Sequence, residues 1–258
     1  MVQQRLPCRP LVLVFAGLDP SGGAGLAADI VAIAAQGAHA LPVISALTVQ
    51  DNDRVFAVEP VAPDLLRRQA QALIAKMVIS AVKIGIPGSA ANAAVIAQLI
   101  AQLRLARPDL PVVLDPVLAS GHGDVLSRDD AVLALAPLLP VTTVIVPNGP
   151  EAAALGGEEH LRAQGCKNVL VTGGHGDGEE VLNRWLDAGG GEQTWRWPRL
   201  PGAFHGSGCT LASAIAARLA LGQPLAEALA LAQSYCHAAL AGAYAIAPGQ
   251  LIPQRFND

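Results

Sequence analysis

The chain has 258 residues, 52% hydrophobic, 15% charged and 3% aromatic, with a net charge of −4. That composition excludes a disordered chain, and the acidic balance argues against a sequence-independent nucleic-acid binder, which needs a basic face. The length buries enough surface to need no staple; the four cysteines (Cys8, Cys166, Cys209, Cys236) lie far apart without a CxxC pair, so neither a disulfide framework nor a zinc site is expected, and a reducing cytoplasm is the expected location.

In chain order, residues 11–16 are the first predicted strand, apolar throughout and bounded by Gly17. Arg5 and Arg9 ahead of it give the look of a secretory signal, but the run is short and Asp19-Pro20-Ser21 follow directly. Residues 23–36 read as a helix stopped by Gly37. Strands at 42–49 and 55–58 follow, then a helix at 63–77 opened by Pro63, whose missing N–H costs nothing in a first turn. Next come a strand at 79–86, a helix at 89–105, a strand at 112–115, a helix at 128–139, a strand at 143–146, a short helix at 149–155 and a strand at 169–172. Residues 181–186 and 193–197 pair as a hairpin across Gly189-Gly190-Gly191, and helices at 206–221 and 225–244 close the chain. The Ala-rich stretch 225–247 comes nearest to a membrane span, but Glu227, Gln233, His237 and Pro248 make it a buried helix of a soluble protein.

Apolar strands alternating with helices predict an α/β protein: a three-layer α/β/α sandwich around a mostly parallel sheet covered on both faces. No linker, low-complexity tract or repeat interrupts residues 1–258, so one domain is expected. Right-handed crossovers place the loops after the strand C-termini on one edge, where ligands bind.

Four segments on that edge carry chemistry. The first, Gly17-Leu18-Asp19-Pro20-Ser21-Gly22-Gly23-Ala24-Gly25, leaves the first strand and enters a helix. Its glycines allow close approach of backbone to a ligand, though a plain βα turn has the same composition. It is neither GxGxxG nor a P-loop. The second, His205-Gly206-Ser207-Gly208-Cys209-Thr210, opens a long helix. Backbone N–H groups at a helix start form an anion site, and a thiol there is expected to have a depressed pKa and to serve as base or nucleophile; the plainer reading of a lone cysteine is a small buried hydrophobe. The third pairs Asp115-Pro116 with Pro147-Asn148-Gly149-Pro150-Glu151. Asp115, Asn148 and Glu151 offer hard oxygen ligands for Mg²⁺, although Asn148 and Glu151 alone are explained by helix capping. The fourth, Val171-Thr172-Gly173-Gly174-His175-Gly176, is a turn before the hairpin that can also line a nucleotide site. The six histidines show no metal spacing, and no GxSxG elbow is present.

Together these segments resemble the hydroxymethylpyrimidine/phosphomethylpyrimidine kinase family of thiamine biosynthesis, within the ribokinase-like superfamily. Residues 17–29, the run Val43-Ile44-Ser45-Ala46-Leu47-Thr48-Val49-Gln50, Leu114-Asp115-Pro116-Val117, Pro147-Asn148-x-Pro150-Glu151-Ala152 and residues 205–210 carry the resemblance in family order, with Ser207 where Thr is usual. It implies ATP-dependent phosphorylation of hydroxymethylpyrimidine and its monophosphate, with ATP and Mg²⁺ as cofactors, no membrane or nucleic-acid partner, and a homodimer. It implies that Gly17, Asp29 and Gln50 hold the aminopyrimidine, with Ile86 against its ring where Met is common. Gly206, Ser207 and Gly208 offer amides to the transferring phosphoryl group, and Cys209 stands where ribokinases have Asp and takes the hydroxymethyl proton. Asp115, Asn148 and Glu151 organise Mg²⁺, and Thr172 and Gly174 face ATP. Phosphoryl transfer asks mainly for alignment and charge neutralisation, which a metal and a helix N-terminus supply without a P-loop.

The chain departs from the family where three lysines are usual: Val31, the segment Ser120-Gly121-His122-Gly123, and Thr172 stand there, and the stretch between Gly157 and Lys167 is short. Missing cations weigh against the second phosphorylation, of an already anionic acceptor; Arg128 and Lys167 are candidate replacements. Two other readings are a pyridoxal kinase of the same superfamily and a pyrimidine-binding relative without turnover.

Overall fold

The structure, a computed structural model, describes residues 8–118 and 131–256. Its strands are β1 (Leu11–Leu18), β2 (His39–Gln50), β3 (Val55–Pro60), β4 (Ile79–Ile84), β5 (Val112–Leu114), β6 (Val144–Ile145), β7 (Asn168–Val171), β8 (Glu180–Leu186) and β9 (Glu192–Pro198). They form one sheet in the order β3-β2-β1-β4-β5-β6-β7-β8-β9. Pairs from β2 through β7 are parallel, and β3, β8 and β9 join antiparallel at the edges. The expected mostly parallel sheet and the hairpin are both present.

The helices are α1 (Gly25–Ala35), α2 (Pro63–Ile74), α3 (Ala90–Ala106), α4 (Ala131–Leu135), α5 (Gly149–Ala154), α6 (Gly157–Ala163), α7 (Ser207–Ala220) and α8 (Leu225–Ala241). The helix expected at 128–139 is α-helical only through Leu135 and tightens into a 3-10 turn over Ala136–Val141 around Pro137 and Pro140; its first three residues lie outside the described ones. The sequence reading missed α6, a seven-residue helix starting at a left-handed glycine pair that reads as a loop signal.

Strand β1 explains its own composition. Leu13 and Phe15 pack with Leu66, Ile96 and Ile100 from α2 and α3, while Val12, Val14 and Ala16 pack with Ile33, Ala212 and Ile215 from α1 and α7. Both faces are buried, so the run is continuously apolar rather than alternating. Each fully buried side chain of that size contributes about 1.5–3 kcal/mol. The chain therefore uses this segment as a central strand; among the described residues no helix is long and apolar enough to cross a membrane.

From β1 the chain moves outward to β2 and β3, then returns to place β4 on the other side of β1. That reversal opens a crevice beyond the carboxyl ends of β1 and β4, where open α/β sheets bind ligands.

Candidate active site

A cavity of about 560 Å³ occupies this crevice. Its wall brings together the sequence-predicted Gly17, Gln50 and Ile86 from one side, Asp115, Asn148 and Glu151 from the β5 and β6 ends, Thr172 and Gly174 after β7, and Gly206, Ser207, Gly208 and Cys209 at the start of α7. Asp29 is the exception. It is fully buried in α1 behind that wall, so the structure corrects its expected contact with the pyrimidine. Both of its oxygens are within hydrogen-bond reach of the Lys83 ammonium (2.9 and 3.1 Å), and Oδ1 also accepts from the Ser213 hydroxyl (2.7 Å).

The glycine turn after β1 is built around Asp19. Its Oδ1 accepts the Ser21 amide (2.8 Å); its Oδ2 accepts the Ser21 hydroxyl (2.9 Å), the Ala24 amide (2.7 Å) and bonds His205 Nε2 at 2.9 Å. Burial raises the carboxyl, but hydrogen bonds from His205, Ser21 and Ala24 outweigh it and hold the group at about 2. Gly25 has φ +55°, and a Cβ there would meet the Gly17 carbonyl oxygen at 2.3 Å, so only glycine lets α1 start against β1. The Arg255 guanidinium, donating to the Gly23 and His205 carbonyls, joins this turn to the second glycine segment.

At that second segment Gly206 takes φ +74°, and a Cβ would stand 2.2 Å from the Gly23 carbonyl oxygen. The turn delivers Ser207, Gly208 and Cys209 as the uncapped first turn of α7. Free amides there, with the helix macrodipole, attract an anion.

Behind them lies a buried charge cluster. Lys83, on β4, is fully buried, with Asp115 Oδ2 at 3.7 Å in addition to Asp29. Burial lowers the ammonium, but Asp29, Cys209 and Asp115 outweigh it, so it stays protonated well above its usual range. Burial raises the Asp115 carboxyl, against the pull of Lys83. The Cys209 thiol departs from expectation. Burial pushes it up to about 12; Lys83 draws it down, while Asp115 and Asp29 push it further up. The depressed pKa expected of a helix N-terminus is overridden chiefly by burial, to which the Asp115 and Asp29 carboxylates add.

Asn148 and Glu151 form a full capping box on α5: Asn148 Oδ1 accepts the Glu151 amide (2.8 Å) and Glu151 Oε2 accepts the Asn148 amide (2.9 Å). Burial, then the Asp115 carboxylate, raises Glu151 to about 7. On the β7 side, the Thr172 hydroxyl reaches the Pro147 carbonyl at 3.5 Å, and Arg199 holds the turn by donating to the carbonyls of Gly174 (2.8 Å) and Gly178 (2.7 Å).

Sequence reasoning missed Lys83, Arg255 and the Asp19–His205 pair. A lysine inside the apolar strand Ile79–Ile84 was a readable sign, because a buried lysine needs a partner. Arg255 gave none. Of the two candidate replacement cations, Arg128 lies outside the described residues, and Lys167 lines a separate surface depression with Glu159 and Arg162. Among the described residues, Lys83, Arg54 and Arg199 line the cavity, and Arg255 is packed behind the α7 turn.

Asp19 carries a pH dependence with a definite sign. Its folded pKa of about 2 lies below the ordinary 3.8, so its stabilisation is complete above about pH 5 and is lost as pH falls through 4 toward 2. Linkage gives about 1 kcal/mol lost between pH 6 and pH 3. Asp19→Asn should remove that share of the slope in denaturant unfolding at the two pH values; an unchanged slope would contradict the assignment.

A switch-point cavity, two glycine turns facing each other and a helix N-terminus in place of a P-loop define a ribokinase-like phosphotransferase. The chain belongs to the phosphomethylpyrimidine kinase family, whose model matches residues 19–253. It is 38% identical over 257 residues to a hydroxymethylpyrimidine/phosphomethylpyrimidine kinase of Rhizobium meliloti, covering 93% of this chain and 94% of that one. Among solved structures, a phosphomethylpyrimidine kinase of Clostridium difficile matches with TM-score 0.75 and 32% identity, covering 88% of this chain and 98% of that one. An ADP complex of Bacillus subtilis pyridoxal kinase matches with TM-score 0.86 at 24% identity over 96% of this chain and 97% of that one, a likeness of fold.

Proposed function

We propose that this chain transfers the γ-phosphoryl group of ATP to the hydroxymethyl oxygen of hydroxymethylpyrimidine, and then phosphorylates the monophosphate, in the making of thiamine diphosphate. The observation that carries the reading is the convergence, on one cavity, of the Gly17 turn, Gln50 and Ile86 with the uncapped α7 turn and Cys209. The first group suits a flat, hydrogen-bonding ring, with Ile86 held in place by the Ser45 hydroxyl donating to its carbonyl. The second offers Gly206, Ser207 and Gly208 amides to the moving phosphoryl group. Cys209, beside both, takes the hydroxyl proton as the new P–O bond forms. Thr172 and Gly174 border the nucleotide.

The donor set fits Mg²⁺. Asp115 Oδ2 is a buried carboxylate oxygen with no hydrogen-bond partner among the described residues, and Glu151 is a carboxylate that a nearby dication would keep ionised. Asp115 and Glu151 would hold the ion, with Asn148 fixing Glu151 through the capping box. When bound, it neutralises phosphate charge. Lys83 and Arg255 are internal cations, but Lys83 is offset by Asp29 and Asp115; Arg54 and Arg199, on the cavity wall, are the cations that support the second phosphorylation, of an anionic acceptor.

The test is product mass after incubation with ATP and Mg²⁺, using the pyrimidine alcohol, its monophosphate and pyridoxal in parallel. Monophosphate and diphosphate of the pyrimidine are expected. Turnover of pyridoxal alone would make the rival kinase the correct reading, and no consumption of ATP would leave a binding protein. The free state of all four cysteines supports a cytoplasmic location. Apolar Leu47, Val49 and Phe56, exposed on β2 and β3, support a homodimer, which sedimentation equilibrium of the same preparation checks.

A further inference from the structure

Arg255, three residues from the chain end, is only 4% exposed. Its guanidinium enters the back of the site from the C-terminal segment, which α8 holds by the Tyr235 hydroxyl donating to the Arg255 carbonyl (2.7 Å). Nε donates to the Thr210 hydroxyl (2.8 Å), which itself donates to the Gly206 carbonyl (2.8 Å). Nη2 lies 2.5 Å from the Gly23 carbonyl oxygen and 3.4 Å from those of His205 and Gly206. One cation thus faces carbonyls from both glycine turns.

In a trans peptide the N–H points opposite to the C=O. A cation that collects the carbonyls of Gly23, His205 and Gly206 therefore turns the amides of Ala24, Gly206 and Ser207 away from itself. The Ala24 amide does point away, into Asp19 Oδ2 at 2.7 Å. Gly206 and Ser207 are on the cavity wall. We propose that Arg255 is a positioning residue for phosphoryl transfer: by drawing three loop carbonyls to the rear, its buried guanidinium aims the Gly206 and Ser207 amides at the transferring phosphoryl group. The inference rests on the reading of residues 206–208 as the phosphoryl loop. Its physical basis is that donors fixed before reaction stabilise developing charge without reorganisation.

The test compares Arg255→Met and Arg255→Lys with the parent protein in kcat, KM, thermal unfolding and binding of ADP with and without aluminium fluoride, a mimic of the transferring group. In folded Arg255→Met, kcat should fall about 10²-fold, the scale of a small misplacement, with both KM values within about threefold. ADP alone should bind as in the parent, while the tightening by aluminium fluoride is lost. Arg255→Lys keeps the charge without the fork and should remain at least about tenfold down in kcat. If Arg255→Met does not fold, Arg255→Lys decides: full activity overturns the proposal, and a folded protein losing kcat alone supports it. Turnover of Arg255→Met within threefold of the parent, or undiminished tightening by aluminium fluoride, also overturns it. A parent that phosphorylates no pyrimidine defeats the proposed function instead; an active parent with indifferent variants defeats this inference alone.

Discussion

Cys209→Ala should lower kcat by about 10²-fold or more while leaving the KM for ATP near the parent value, the scale expected for losing a general base. The reason lies in what surrounds the sulfur. With a pKa of about 12, the group is a thiol in the free protein at neutral pH. Deprotonated, it is a stronger base than an ordinary thiolate, but it is scarce. Rate through such a base should climb about tenfold per pH unit from pH 7 to pH 9, since both values lie below the pKa. The parent should show that rise in kcat/KM at saturating Mg²⁺, and the alanine variant should not. A flat profile together with an active Cys209→Ala would remove the sulfur from proton transfer and leave the α7 amides to act alone.

The second large effect falls on stability. Lys83→Met leaves Asp29 and Asp115, both buried, without their shared counter-charge. Removing one partner of a buried pair costs about 3–5 kcal/mol, because the remaining charge is neither solvated nor paired. For a chain of this size that lowers the Tm by about 10 °C. Adding Asp29→Asn to Lys83→Met should recover at least about 1 kcal/mol, since it removes one of the two stranded carboxylates. Strictly additive losses in the double variant would show that the Asp29–Lys83 contact contributes nothing specific. Lys83 also draws the Cys209 thiol down, so its loss should depress turnover in whatever fraction of the variant folds.

These two residues also mark the limit of reading a site from its sequence. Cys209, Gly206 and Asp115 were legible because their chemistry is local: a glycine turn entering a helix, a carboxylate ending an apolar strand. Asp29 differs from expectation because a motif position says nothing about which way a helix face turns; α1 turns it inward onto Lys83. The Cys209 thiol differs from expectation because helix start and thiol are adjacent in the chain, whereas the layers that bury the sulfur, and the carboxylates from α1 and the end of β5 that add to the effect, come from elsewhere.

Residue order alone dictates the alternation of apolar strands and helices, and therefore the covered parallel sheet, and the glycine turns at its carboxyl edge. Both follow from short-range physics: side-chain period, turn conformation and helix ends. Which charges meet depends on the packing of distant segments. Asp29 finds Ser213 across 184 positions, and Arg255 reaches Gly23 across 232. Such pairings are set by how the layers pack, and burial then makes their electrostatics strong enough to reverse what each residue would do alone.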